Sequence, residues 1–159
     1  MPAEGLAGLV IRAATQRDVP AVVALIYDDD IAAARESVPG ADVDAAYLAA
    51  FQQIAANPDD LLVVGELDGR VVACAQVTLL HHLSRRGGTR AQVESVRVDA
   101  ALRGQGAGGR LMSWIEGYAR DRGAALIQLT TDKRRVEARR FYERLGFVAS
   151  HEGMKRSLR

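Results

Sequence analysis

The stretch "LRGQGAGGRLM", residues 102–112, holds four glycines within six positions directly after Arg103. Clustered glycines let the backbone come close to a ligand, and a glycine-rich loop that opens a helix commonly holds a phosphate group. The stretch fits three patterns at once. The dinucleotide pattern G-x-G-x-x-G runs from Gly104 to Gly109, a P-loop-like pattern uses the same two glycines, and R-x-x-G-x-G begins at Arg103.

The length of the chain and the residues around the loop separate these patterns. The chain of 159 residues ends too soon after Gly104 for even one complete half of a dinucleotide-binding fold. A P-loop needs Lys and then Ser or Thr, where this chain has Arg110 and Leu111. The R-x-x-G-x-G pattern predicts instead that the backbone amides of residues 105–109 converge at a helix N-terminus. There the amides and the helix dipole bind a pyrophosphate without a metal ion.

Hydrophobic periodicity on either side of the loop predicts one α/β domain with a mixed sheet. Period-2 apolar runs predict strands, and apolar stripes at helical spacing predict helices. The predicted order is a strand at 9–14, helices at 19–27 and 43–54, a hairpin of 61–67 and 70–80, a strand at 91–98, a helix at 111–119, a strand at 125–131, a helix at 134–146 and a terminal hairpin at 147–158.

The strand before the glycine-rich loop is irregular, because Val93 is out of phase with Val96 and Val98. One extra residue near Glu94–Ser95 restores the alternation, which predicts a β-bulge there. Bulges re-aim side chains and leave backbone groups unpaired, often beside active sites. The bulged strand and the loop that follows it are therefore the expected site.

The balance of charge differs between the two halves of the chain. Residues 1–83 carry 4 Lys and Arg against 12 Asp and Glu, and residues 84–159 carry 17 against 8. Either the solvated helix faces are unevenly charged, or the C-terminal half receives an anion and the N-terminal half a cation. The near-neutral total and the few aromatic residues count against a nucleic-acid partner.

The apolar stretches and the cysteine content indicate a compartment. The longest apolar stretch, "VVACAQVTLL", is too short to span a bilayer. The N-terminus lacks the basic and apolar regions of a signal peptide. The single cysteine, Cys74, excludes an internal disulfide and fits a reducing compartment. We therefore expect a cytoplasmic protein with no membrane partner.

The run "VESVRVDAALRGQGAGGRLM", followed by "ARRFYERLGF", resembles the GNAT superfamily of acetyl-CoA-dependent N-acetyltransferases. The resemblance is clear over 90–148 and only topological over 1–80. It implies a single domain over 1–159, with the acceptor side and the hairpin in 1–89 and the acetyl-CoA-binding core in 90–148. The implied fold is a splayed, mostly antiparallel sheet of six to seven strands flanked by about four helices.

The resemblance also implies which residues bind acetyl-CoA, the one cosubstrate expected. Backbone amides from Gln105 to Gly108 and the Arg103 side chain would hold the pyrophosphate, and the backbone of the preceding strand would pair with pantetheine. The chain departs from the family at Arg135, which stands where many members have an asparagine that binds pantetheine. Substitution of Gly104 is expected to be tolerated better than substitution of Gly106 or Gly108. The full implied set is Val96, Val98, Arg103, Gly104, Gln105, Gly106, Ala107, Gly108, Gly109, Arg135, Ala138 and Tyr142.

Acetyl transfer from a thioester to an amine needs a neutral amine, a partner for the developing oxyanion and a proton for the leaving thiolate. Glu94 resembles an acidic residue that many members place on the bulge, and it is the expected general base. An ion pair with Arg90 or Arg97 is the structural alternative for it. The backbone N–H of Val98 is expected to stabilise the oxyanion. Tyr142 is expected to donate the proton, with core packing as the alternative for its ring.

The resemblance implies direct transfer to a primary amine in a ternary complex. Cys74 lies in an apolar strand without an adjacent base, which disfavours an acyl-cysteine route. We expect a small acceptor, with the acidic N-terminal half favouring a cationic one. The alternatives are a protein N-terminus or lysine, and a non-catalytic acetyl-CoA sensor.

Asp28–Asp30 could line the amine entrance, although such a run is more often a solvated face. His81 and His82 do not make a metal site, so no metal is expected. Small enzymes of this type often dimerise through their sheet edges, and a homodimer is an alternative to the monomer.

Overall fold

The computed structural model describes residues 4–34, 36 and 44–158. They form one five-stranded sheet in the order β1-β2-β3-β4-β5, antiparallel except for the parallel pair β4–β5. The strands are β1 Val10–Ala13, β2 Asp60–Leu67, β3 Arg70–Leu80, β4 Thr89–Val98 and β5 Ala124–Leu129. The helices are α1 Val19–Tyr27, α2 Asp30–Ala33, α3 Ala45–Ala56, α4 Ser84–Gly87, α5 Ala107–Asp121 and α6 Val136–Arg144. The predicted α/β class, the mixed sheet and the order of the main elements are confirmed.

The turn between β1 and α1 is closed by its own polar groups. Thr15 donates its backbone N–H to the Asp18 carboxylate at 2.7 Å, and Asp18 donates its N–H to the Thr15 carbonyl at 2.9 Å. Arg12 of β1 donates to both oxygens of the same carboxylate, at 2.8 and 2.9 Å. The Arg12 guanidinium, together with Thr15, holds the pKa of Asp18 at about 2. This buried carboxylate therefore fixes the direction in which α1 leaves the sheet.

The sheet buries apolar side chains on both of its faces. The face that packs against α5 is lined by alternate residues of β3, including Ala75 and Val77, and by Val93 of β4. Across from them, α5 buries the stripe that its sequence predicts: Leu111, Met112, Ile115 and Ala119. The opposite face carries Val64 and Cys74, which pack against α1. The two sides of β3 therefore belong to two separate apolar clusters.

The predicted bulge is present in β4. Glu94 lies opposite Gln76 and Arg97 lies opposite Cys74, so two residues of β4 face one residue of β3 between these pairs. Ser95 takes a left-handed φ of 55°, which is uncommon for a residue other than glycine. On its other side β4 pairs with β5 only up to Val93. β5 ends at Leu129, opposite Val93, so the rest of β4 has no strand partner on this side among the described residues. We call the space beside this unpaired part of β4 the cleft.

The predicted terminal hairpin is wrong, and the sheet has five strands where six to seven were expected. Residues 147–158 are described and form no strand. Phe147 donates its N–H to the Tyr142 carbonyl at 3.0 Å, which continues the end of α6. Farther along, Val148, Met154 and Leu158 remain 81, 95 and 93% exposed. Pairing the two segments would bury no apolar face, and a hairpin without one is marginal in water.

The 81–89 connection between β3 and β4 is the polar loop that the sequence predicts. His81 bridges it, with Nε2 3.1 Å from Asp59 Oδ2 and Nδ1 3.2 Å from Thr89 Oγ1. Within it α4 is a single turn, in which Arg85 and Arg86 have left-handed φ values. Over the described part of the chain, no helix combines the length and the apolar character needed to cross a membrane.

Candidate active site

The glycine-rich loop connects β4 to α5 through a short 3₁₀ turn, Ala100–Leu102. Asp99 begins that turn by accepting a hydrogen bond from the Ala101 N–H at 2.9 Å. Gly104 and Gly106 then adopt φ values of 75° and 97°. Only glycine enters this region without steric cost, so both positions require it. These two left-handed glycines turn the backbone so that it leads into the N-terminus of α5.

The first turn of α5 presents unpaired backbone amides. The first intrahelical bond runs from the Arg110 N–H to the Gly106 carbonyl at 3.1 Å. The N–H groups of Ala107, Gly108 and Gly109 precede it and so lack an intrahelical acceptor. The Gln105 N–H donates to the Leu102 carbonyl at 3.3 Å, and its predicted contact with the pyrophosphate stays a prediction. The remaining amides and the helix dipole still form a site for an anion.

The glycines of the loop differ in what surrounds them. A Cβ on Gly108 would lie 3.1 Å from Phe141 Cζ of α6, whereas a Cβ on Gly109 would meet no atom within 4 Å. Gly104 has open space as well, but its left-handed φ strains any other residue. The expectation that a bulky residue at Gly106 or Gly108 abolishes acetyl-CoA binding, and that Gly104 is more forgiving, stays a prediction. Gly109 alone of these four glycines combines open space with an unstrained φ.

Beyond the bulge, β4 turns two backbone carbonyls into the cleft. Asp99 donates its N–H toward β3, to the Val72 carbonyl at 2.8 Å. Because successive strand residues direct their backbone groups to opposite sides, the N–H and carbonyl of Val98 face the side that β5 has left. The Val98 carbonyl accepts from Arg103 Nε at 3.1 Å, and the Val96 carbonyl accepts from Arg97 Nη1 at 2.8 Å. The carbonyls of Val96 and Val98, the two residues predicted to pair with pantetheine, thus lie on the cleft side of β4. Each accepts a hydrogen bond from an arginine side chain.

A carboxylate from the turn between α1 and α2 reaches this cleft. Asp29 begins α2 by accepting from the N–H groups of Ile31 and Ala32, at 2.9 and 3.1 Å. Arg135 donates to both of its carboxylate oxygens, with Nη2 at 2.9 Å from Oδ1 and Nη1 on Oδ2. Burial opposes ionisation of Asp29, but the bonds from Arg135 and Ala32 outweigh it and hold its pKa at about 2. Arg135, the departure from the family pattern, therefore has a partner inside the protein.

Asp28 makes a second, more exposed link across the same cleft. Its carboxylate lies 3.3 Å from Arg103 Nη2, and both side chains are more than half exposed. The turn between α1 and α2 is thus tied both to the glycine-rich loop and to the start of α6. The view of Asp28–Asp30 as a solvated face is wrong for Asp29, whose side chain is only 13% exposed.

Arg97 is a residue of the site that the sequence did not single out for a role of its own. Its side chain is 16% exposed, and Nε lies 3.7 Å from Asp29 Oδ2. Nε is buried without a hydrogen-bond partner in the described residues. Burial and the nearby Arg135 lower the pKa of Arg97, and Asp29 partly offsets them. The available signal was strand alternation, which puts Arg97 on the face opposite Val96 and Val98, together with the bulge, which puts it on the same face as Glu94.

Tyr142 lies on α6, one turn after the half-buried Ala138. Its ring contacts Phe141 and Phe147, with centroids 5.1 and 5.7 Å away. Burial raises the pKa of Tyr142, while Arg97 and Arg135 lower it to a smaller extent. The ring therefore packs in the apolar cluster, as the structural alternative holds, and the phenol stays protonated at neutral pH. Its role as a proton donor remains a prediction.

Glu94 is exposed at the last pair before the bulge. Among the described residues it makes neither of the ion pairs with Arg90 or Arg97 that the sequence allowed. Its carboxylate is therefore free to meet a ligand, and its role as a base remains a prediction. Cys74, on the neighbouring strand, is fully buried, and burial raises the pKa of its thiol to about 12. Such a thiol is not a nucleophile at neutral pH.

Comparisons with known proteins bear on this site. The family model described as "Acetyltransferase (GNAT) family" matches residues 23–147. The chain is 37% identical over 87 residues to an aminoalkylphosphonate N-acetyltransferase of Salmonella typhimurium, which covers 55% of this chain and 53% of that protein. It is 35% identical over 112 residues to glucosamine 6-phosphate N-acetyltransferase 1 of Oryza sativa subsp. japonica, covering 69% of this chain and 66% of that protein.

The matched regions thus span about half to two thirds of the length of these two relatives. A crystal structure of a transcriptional regulator from Bacillus halodurans superposes with a TM-score of 0.91 at 41% identity, covering 94% of this chain and 99% of that one. The fold, the bulged strand and the glycine-rich loop agree with the family match, which extends over most of the chain. The chain belongs to the acetyltransferase (GNAT) family.

Proposed function

We propose that this protein transfers the acetyl group of acetyl-CoA to the primary amine of a small molecule, with both substrates bound at once. One observation carries the proposal. The part of β4 beyond Val93 leads through the glycine-rich loop to the free amides of α5, and the free carboxylate of Glu94 lies at the last pair before the bulge. The protonated phenol of Tyr142 is near enough to Arg97 of the same strand for that charge to lower its pKa. These groups support binding of a pyrophosphate and the two proton transfers of acyl transfer.

The residues present fit acetyl-CoA, which would supply an acetyl group on a thioester. The amides of Ala107, Gly108 and Gly109 would bind its pyrophosphate, with the Arg103 side chain adding positive charge. Arg103 now donates to the Val98 carbonyl, so its movement to the pyrophosphate would free that carbonyl for a pantetheine amide. The Val96 carbonyl offers a second acceptor on the same edge of the strand.

The chemistry assigns one task to each of three groups. An alkylamine with a pKa of about 10 is mostly protonated at pH 7, so the Glu94 carboxylate would first take one proton from the ammonium group. The neutral amine would then attack the thioester, and its nitrogen would release a second proton to solvent as the amide forms. The Val98 N–H, directed into the cleft, would stabilise the negative charge that develops on the acetyl oxygen. The Tyr142 phenol would give its proton to the leaving thiolate. Cys74 takes no part, because its buried thiol cannot attack a thioester at neutral pH.

The acceptors in the names of the two curated relatives support a small molecule over a protein. Aminoalkylphosphonates and glucosamine 6-phosphate are both small primary amines. An amine of this size needs only the cleft beside Glu94. A protein N-terminus or a lysine would need a groove for the flanking peptide as well.

Thiol release from acetyl-CoA across a panel of amines, amino acids, aminoglycosides, polyamines and peptides tests the proposal. We expect turnover with a small amine, a loss of about 10²–10⁴-fold for Glu94→Gln, and a clear loss for Tyr142→Phe with acetyl-CoA affinity kept. Glu137→Gln, on the exposed side of α6, and Tyr118→Phe, at a half-buried position of α5, are matched controls outside the proposed site. Unchanged turnover of Glu94→Gln at every pH, or full activity of Tyr142→Phe, would remove the corresponding role.

The second candidate is a non-catalytic acetyl-CoA sensor, and the Bacillus halodurans neighbour supports it because that protein is described as a transcriptional regulator. A sensor needs the amides of α5 but neither Glu94 nor Tyr142. Calorimetry with acetyl-CoA separates the two candidates. Micromolar binding without turnover on any member of the panel would favour the sensor.

A further inference from the structure

Arg97 and Glu94 occupy the same face of β4, although they lie three positions apart. In a regular strand such residues point to opposite faces. The bulge adds one residue between them, so that Val93, Val96 and Val98 all pack against the cluster under α5. Glu94 and Arg97 consequently share the other face, with their Cα atoms about 7–10 Å apart along the strand. A carboxylate and a guanidinium thus flank the place where the strand separates from β5.

The charge of Arg97 is poorly matched inside the protein. Arg97 and Arg135 approach a single carboxylate, Asp29, and Arg135 takes both of its oxygens. Arg97 Nε remains 3.7 Å from Asp29 and forms no hydrogen bond. Among the described residues, the Arg97 side chain donates a single hydrogen bond, from Nη1 to the neutral Val96 carbonyl, and its Nη2 has no partner. A mostly buried cation is ordinarily satisfied by charge-assisted bonds, which this one lacks.

The surroundings of Arg97 place this unmatched charge where the acceptor would bind. The side chain lies opposite Cys74, on the sheet face that α1 covers, and the turn before α2 closes over it. It is therefore on the same side as Glu94 and not among the free amides of α5. An anion that reached Arg97 would enter beside the amine-activating carboxylate.

We propose that the acceptor is a zwitterionic amine, with its amino group at Glu94 and an anionic group bound by Arg97. The proposal rests on the proposed acetyl transfer and names its acceptor class: short amines that carry a carboxylate, phosphate or phosphonate a few bonds from the nitrogen. Arg97 is then a specificity-determining residue.

Matched pairs of amines test the proposal, because members of a pair differ only in the anionic group. Ethanolamine is compared with O-phosphoethanolamine, and propylamine with 2-aminoethylphosphonate and with β-alanine. We expect the anionic member to have a kcat/KM at least 10-fold higher in the unmodified protein. In Arg97→Gln this advantage should fall to within about 2-fold, because the anionic member should lose more kcat/KM than its uncharged partner. β-Alanine against 2-aminoethylphosphonate separates a carboxylate from a phosphorus oxyanion.

Further variants keep the test informative if Arg97→Gln folds poorly. Arg97→Lys retains the charge without the planar fork and should keep an intermediate preference. Inorganic phosphate should compete with the acceptor in the unmodified protein and lose that effect in Arg97→Lys or Arg97→Gln. Arg120→Gln, an exposed arginine of α5, is the matched control and should change nothing.

The outcomes separate this proposal from the one on which it rests. Equal turnover of charged and uncharged members in the unmodified protein would overturn the zwitterionic acceptor and leave acetyl transfer standing. An equal loss for both members in Arg97→Gln, with no loss of phosphate inhibition, would also overturn it. Failure of every amine to be acetylated would instead overturn the proposed function itself.

Discussion

Gly108 and Gly109 are neighbours in the first turn of α5, yet the structure gives alanine opposite effects at the two positions. A Cβ on Gly108 would lie 3.1 and 3.4 Å from two ring carbons of Phe141 and 3.6 Å from Val98 Cγ2. Carbon atoms in contact prefer about 3.5–4.0 Å. The ring must therefore retreat by roughly 0.5 Å, into the cluster against which it packs. A Cβ on Gly109 would displace nothing.

The magnitudes follow from these distances. Replacing glycine by alanine in a helix contributes about 0.5–1 kcal/mol at either position. Overfilling a packed site costs about 1–3 kcal/mol, and only Gly108→Ala incurs that cost. We expect Gly109→Ala to raise the free energy of unfolding by up to about 1 kcal/mol. Gly108→Ala should lower it by about 1 kcal/mol, and the two variants should differ by about 2 kcal/mol.

Urea unfolding at 25 °C, followed by the fluorescence of the single tryptophan, Trp114, measures both variants against the unmodified protein. The double variant Gly108→Ala/Phe141→Leu is the control for the contact, because a smaller side chain at 141 should recover most of the loss. Equal stability of Gly108→Ala and Gly109→Ala would show that Phe141 is not held against the loop. The link between the glycine-rich loop and α6 would then be refuted.

Three further changes have expected outcomes. Gly104→Ala should lower the free energy of unfolding by about 1–2 kcal/mol, because its φ of 75° disfavours any other residue; urea unfolding with no loss would contradict this. The folded pKa of Asp18, about 2, lies below its ordinary value of 3.8, so its contribution is present above pH 4 and is lost as the pH falls through 2. Asp18→Asn should therefore be less stable by about 1–2 kcal/mol at pH 7 and equal to the unmodified protein near pH 2, and a deficit that persists at pH 2 would argue against it. Asp28→Asn removes a competitor for Arg103 and should tighten acetyl-CoA binding about 2- to 5-fold in calorimetry, whereas weaker binding would give Asp28 a supporting role.

The parts of the fold that sequence could predict are those set by local pattern. The apolar stripe of α5, the Asp68–Gly69 turn between β2 and β3, and the bulge near Glu94 all follow from the spacing of a few neighbouring residues. The same reasoning fails at 147–158, where strand-like composition finds no apolar surface to cover. A strand needs a partner as well as a pattern.

In the candidate site too, the residues set by local pattern could be predicted and the contacts between distant residues could not. The glycine-rich loop and Tyr142 could be identified because motif spacing places them. The contacts of Asp29 with Arg135 and Arg97 could not, since they join residues separated by 106 and 68 positions. Which carboxylate approaches which guanidinium depends on how α1 and α6 pack on the sheet. Charge counted over half the chain carries no such information.

The bulge in β4 is a place where that strand can lose a residue and keep its register. Removing Ser95 would leave Val93, Val96 and Val98 in simple alternation on the apolar face, with Glu94 still opposite Gln76 and Arg97 still opposite Cys74. Removing Arg97 instead would turn either Val96 or Val98 away from the apolar cluster. The 81–88 loop can take up an added residue at its exposed surface. In heritable terms, a deletion at the bulge removes only the irregularity, whereas a deletion beside it reverses part of the strand.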